Sequence, residues 1–169
     1  MRLLRLTGVY PSYAKLFYGR RPDLAAASYA TQQAALAHDA SGGADFWSNA
    51  LRSFGYTTAE LLTNIKPLQQ AWVQEEMPAA VDQLTEHEVA LAQVEAFQPD
   101  ILWYVHSDDA LLAKIRALPH PPRLVLGWVG SAIPRQRSWQ QIDLMLSCAP
   151  ESVAYFRKVG LPALHLNHG

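Results

Sequence analysis

The chain has 169 residues, half of them apolar, with 17% charged and 10% aromatic side chains and a formal net charge of −1. That composition supports a buried core, excludes wholesale disorder, and lacks the basic excess of a protein that binds by neutralising nucleic-acid phosphates. The lone Cys148 excludes an internal disulfide framework and a multi-cysteine metal site, and the longest apolar run, Leu124 to Ile133, falls short of the roughly 18 residues that span a bilayer.

Leu3 to Leu6 reads as a buried strand, closed by Thr7-Gly8 and the turn-prone Tyr10-Pro11-Ser12. Helical signals follow at Leu24 to His38 and Ala44 to Phe54, separated by Ser41-Gly42-Gly43. Gly55 ends the second, and Tyr56 to Leu62 supplies a strand. Lys66 to Glu76 predicts a helix with Pro67 in its first turn, stopped by Pro78. Thr85-Glu86-His87-Glu88 matches a capping box and opens a helix to about Phe97. Ile101 to Val105 is a continuous apolar strand, and Ser107-Asp108-Asp109 caps a helix over Ala110 to Leu118. Strands at Leu124 to Val129 and Asp143 to Ser147 come next, joined by an ill-defined connection through Trp139. Pro150 leads a helix over Glu151 to Val159, and Ala163 to Leu166 begins a last strand.

Strands apolar on both faces and spaced by helix-length connections predict a parallel sheet covered on both sides. The expected fold is therefore α/β, a Rossmann-like three-layer sandwich with a mostly parallel sheet of five to six strands. Residues 1–169 read as one domain in a cytoplasmic setting. The ending at His168-Gly169, with no helix after the last strand, favours a domain cut from a larger protein over an edge strand that closes the fold.

Several familiar chemistries are missing. No G-x-G-x-x-G follows the first strand, and there is no P-loop and no G-x-S-x-G elbow. His87-Glu88 lacks the second histidine of a zinc-protease motif, since Leu91 stands in its place, so a capping role is expected there. In parallel α/β sheets ligands bind at the carboxyl ends of the strands. Sorting polar residues by that rule selects Thr7, Gly8, Tyr10 and Tyr13 after the first strand, and Thr63, Asn64 and Lys66 after the second. His106, Ser107, Asp108 and Asp109 follow the third, Gly130 and Ser131 the fourth, Ser147 the fifth and His168 the sixth. His106, at the end of a central strand, is the candidate general base, with Asp108 beside it; a backbone-bonded histidine and a helix-capping aspartate are the plainer alternatives. Tyr10, Tyr13, Phe17 and Tyr18 form an aromatic group that either stacks on a ring-bearing ligand or packs the loop.

Several stretches together resemble a family: Tyr10-Pro11-Ser12-Tyr13, Asp45-Phe46-Trp47-Ser48, Asn64-Ile65-Lys66-Pro67-Leu68-Gln69-Gln70-Ala71-Trp72, Gln98-Pro99-Asp100, Gly127-Trp128-Val129-Gly130-Ser131 and Asp143-Leu144-Met145-Leu146-Ser147. In this order they resemble the N-terminal half of GT-B glycosyltransferases, in particular bacterial family-4-like and spore-protein-like members. The resemblance implies two Rossmann-like domains facing a cleft, the first holding a hydroxyl-bearing acceptor and the second binding the nucleotide-sugar donor. Residues 1–169 would be the acceptor-side domain, with the donor-binding domain absent and no transferase activity of its own. Gly8, Tyr10, Tyr13, Asn64, Ser107, Gly130 and Ser131 would then line the acceptor site, with His106 and Asp108 as the catalytic pair. No metal or other cofactor, nucleic acid or membrane segment is implied. The histidine that many family members carry after the fourth strand is replaced here by Trp128-Val129-Gly130-Ser131, so that residue is not carried over. The alternative, from another class, is a stand-alone Rossmann-like module that binds a small molecule or a protein without catalysis.

Overall fold

A computed structural model describes residues 1–40, 45–134 and 138–167. The elements are β1 (Arg2–Thr7), α1 (Pro11–Gly19), a short 3-10 turn (Pro22–Ala26), α2 (Tyr29–His38), α3 (Phe46–Arg52), β2 (Thr57–Leu62), α4 (Lys66–Glu76) and a second 3-10 turn (Pro78–Ala80). They continue with α5 (Glu86–Phe97), β3 (Ile101–Tyr104), α6 (Asp109–Arg116), β4 (Leu124–Trp128), β5 (Leu144–Ser147), α7 (Pro150–Lys158) and β6 (Ala163–His165). The six strands form one all-parallel sheet in the order β2-β1-β3-β4-β5-β6. The expected Rossmann-like α/β architecture is present.

The period-two alternation of each strand sorts its side chains between two layers. Leu4, Leu6, Leu61, Leu102, Tyr104, Val125 and Met145 face one layer and form the main core with Val94 of α5, Ile115 of α6 and Phe156 of α7. The opposite face of β1 and β2 is covered from the N-terminal side of the chain, where Phe17 of α1 and Leu36 of α2 pack with Leu62. On that same face α3 brings Ser48 to Glu60 and the Trp47 ring to within 5.1 Å of the Trp103 ring. Over β4 and β5 the covering is one-sided. Val125, Gly127, Met145 and Ser147 are buried, while the alternate residues Leu124, Leu126, Trp128, Leu144 and Leu146 stay half-exposed.

Two local readings change. Tyr10-Pro11-Ser12 is a helix start rather than a turn, because Pro11 takes the first position of α1, where its missing N–H is no loss. The helix expected over Leu24 to His38 is divided: a 3-10 turn ends at Ala26, and the Ser28 side chain then caps α2 by accepting from the Thr31 N–H. The glycine break at Ser41-Gly42-Gly43 lies outside the described residues, as does His168. The capping box at the start of α5 is formed as expected: the Glu88 N–H donates to Thr85 Oγ1, and the Thr85 N–H donates to the Glu88 carboxylate.

Candidate functional site

Between β1 and β3 the connections diverge. The chain leaves β1 toward β2 on one side of the sheet and returns to β3 on the other. Such a switch point opens a crevice beyond the strand carboxyl ends. The register places Leu6 opposite Tyr104 and the Val105 N–H on the Leu6 carbonyl. Gly8 and His106, each two residues further on, therefore lead away from the sheet side by side.

The β1 side of this crevice is held by Asn64. Its Oδ1 accepts from the Val9 N–H at 2.9 Å and its Nδ2 donates to the Val9 carbonyl at 2.7 Å. Gly8 leaves room for that approach, since a Cβ there would lie 3.1 Å from Asn64 Oδ1. Asn64 thus fixes the loop that shapes the crevice, with its amide turned to the backbone rather than left open toward it. Tyr10 is the N-cap of α1 and is 83% exposed, so its ring lies free beside the loop. Tyr13 turns the other way: its hydroxyl donates to Asp39 at 3.0 Å and its ring sits 5.8 Å from that of Phe17.

The β3 side carries the charge. Asp108 is the N-cap of α6, and its Oδ1 accepts from the Leu111 N–H at 2.9 Å. Its other oxygen, Oδ2, lies 2.8 Å from His87 Nε2. The Leu111 N–H holds the Asp108 carboxyl below the usual carboxylate range against the effect of its partial burial, and the imidazoles of His87 and His106 reinforce it. His106 is half-buried with its ring 6.1 Å from that of Tyr104, whose hydroxyl donates to the Asp108 carbonyl. The arrangement is an ionised aspartate paired with His87 near the tip of a central strand, with His106 two residues before it in the chain. Asp109 is engaged elsewhere, accepting from the Ser138 N–H at 2.9 Å, while Ser107 is exposed.

His87 is the residue that sequence reasoning assigned to capping alone. The capping box does form, but it involves Thr85 and Glu88 and leaves His87 free to reach α6. The available signal was topological. In a parallel α/β fold every helix begins at the strand carboxyl edge, so the first turn of α5 and the tip of β3 end up on the same side.

Gly130 and Ser131 form a separate feature further along the edge. They are exposed and line a shallow hollow of about 490 Å³ with Ile133, Ala149, Glu151 and Ser152. Ser147 is fully buried and its hydroxyl accepts from the Ala149 N–H at 3.1 Å, turning the chain into α7. Among the described residues no group of three His, Cys, Asp or Glu side chains is placed to hold a metal ion, and no helix is long and apolar enough to cross a membrane. No protein-family model matches the chain, and no curated protein sequence matches it.

Proposed function

We propose that this chain is the acceptor-side domain of a GT-B-type glycosyltransferase that moves a sugar from a nucleotide-sugar donor to a hydroxyl. The observation that carries the reading is Asp108, held ionised with Oδ2 2.8 Å from His87 Nε2 and two residues after His106 in the chain, at the β3 tip beside the glycine turn that follows β1. Forming a glycosidic bond to an acceptor oxygen requires its proton to leave as the bond from the anomeric carbon to the diphosphate breaks. The nucleoside diphosphate departs with that electron pair, and the proton passes to a neutral imidazole. An ionised carboxylate within reach steadies the resulting imidazolium, so Asp108 orients and stabilises while a histidine accepts.

The charge of this edge also fits a division of labour between two domains. Glu86, Glu88, Asp108 and Asp109 all sit in the first turns or caps of α5 and α6. Their carboxylates repel a pyrophosphate that bare helix N-termini would attract. At α5 and α6 this charge supports a reading in which the donor is held by another domain and this one presents the acceptor.

The test is calorimetry combined with side-chain NMR on the whole chain. A UDP-hexose and a GDP-hexose give no binding heat, whereas hydroxyl-bearing acceptors such as disaccharides shift the His87 and His106 ring signals together. Tight binding of the nucleotide-sugars overturns the reading. A ligand bound with equal affinity after His87→Gln and His106→Gln supports the non-catalytic binding module instead.

A further inference from the structure

A further concavity lies between α4 and the approach to α5, with a volume of about 430 Å³. That is within the range of roughly 300–1,000 Å³ usual for small-molecule sites. One wall is a single face of α4, on which Lys66, Gln70 and Gln74 recur at helical spacing and stand exposed around Gln69. Gln69 is only 6% exposed. Its Nε2 donates to the Leu62 carbonyl at 2.7 Å, and its Oε1 has no partner. The other wall includes Asp82 and Glu86, and Asp82 is held at φ +61°, a left-handed conformation that costs a non-glycine residue energy.

The wall chemistry selects the ligand. Lys66 stands against the two carboxylates of Asp82 and Glu86, so the lining disfavours an anion. The amides and carboxylates offer closely spaced donors and acceptors, and Val73 and Val89 supply an apolar patch between them. A neutral polyhydroxylated ring matches both, with hydroxyls meeting the amides and its C–H face meeting the valines. We propose that this cavity is a carbohydrate-binding site, separate from the strand-tip crevice, which takes one saccharide unit against the glutamine face of α4. None of His87, His106 or Asp108 lines it.

The experiment is a titration of the isotope-labelled chain with maltose and with cellobiose, read as amide shifts. The expected result is saturable shifts confined to α4 and to residues 80–86 that lead into α5. Gln70→Ala/Gln74→Ala, at two exposed positions, should weaken binding about tenfold through two lost hydrogen bonds, with thermal stability unchanged. Saturable shifts confined to other elements, no response up to the solubility of both sugars, or undiminished binding by the double variant overturns the proposal. His106→Gln should leave this binding within about twofold, because His106 does not line the cavity. A sugar that moves only the His87 and His106 signals defeats the cavity and spares the transferase reading. A sugar that fills the cavity while those histidines respond to no acceptor does the reverse.

Discussion

Both ends of the Asn64 side-chain amide are bonded to one residue, Val9, across the turn that follows β1. Asn64→Ala removes both bonds and should cost about 1–2 kcal/mol in urea unfolding, with faster amide exchange at Val9. Asp108 acts on two helices, capping α6 and holding His87 at the start of α5. Its folded-state pKa lies below the unfolded value, so its contribution is present above about pH 4 and is lost as pH falls through the folded value. Asp108→Ala should therefore cost about 1 kcal/mol at neutral pH, with the deficit shrinking in acid. A deficit that is constant with pH would show that the carboxylate charge plays no part.

Beneath α3, Glu60 accepts from the Ser48 hydroxyl at 2.7 Å and pairs with Arg5 at 3.0 Å. Burial pushes the Glu60 carboxyl above its ordinary value despite both partners. A raised folded-state pKa means that ionisation penalises the fold at neutral pH and that the penalty is relieved as pH falls through that value. Glu60→Gln removes that penalty but leaves the Arg5 guanidinium without its counter-charge, and should lower stability in urea unfolding at neutral pH. A variant as stable as the parent at neutral pH would show that the pair contributes nothing. On β4, a Cβ at Gly127 would sit 2.7 Å from Met145 Cε and 3.0 Å from Ile142 Cγ2. Gly127→Ala should overpack this layer and cost about 1–2 kcal/mol in thermal unfolding. The strands were legible in the sequence because buried parallel strands are short apolar runs between polar turns, as Ile101 to Tyr104 illustrates. Helix α1 was not, since Pro11 signals a turn and a helix start equally well until the packing of Phe17 decides. The site was half legible. Strand-end position exposed His106 and Asp108, whereas the His87–Asp108 pair joins residues far apart in sequence, and no local pattern encodes it.

At the scale of the molecule, side chains cap part of each edge of the sheet. Thr57 and Thr63 turn their N–H groups toward β1, so the carbonyls of Glu60 and Leu62 point outward, and Gln33 and Gln69 donate to them. At the opposite edge Arg157 donates to the Ala163 carbonyl. Side chains that cap an edge in this way deter strand addition by another chain. Gln33→Ala should raise concentration-dependent association, measured by light scattering. At the carboxyl tips of the strands, β1 and β3 part beside Asp108 and its partner His87. The most direct measurement follows the carbon-bound ring protons of His87 and His106 as the chain is titrated with a disaccharide acceptor, in the parent and in Asp108→Asn. Concerted shifts of both rings, weakened in the variant, are the predicted result; rings that stay silent while nucleotide-sugars bind would contradict it.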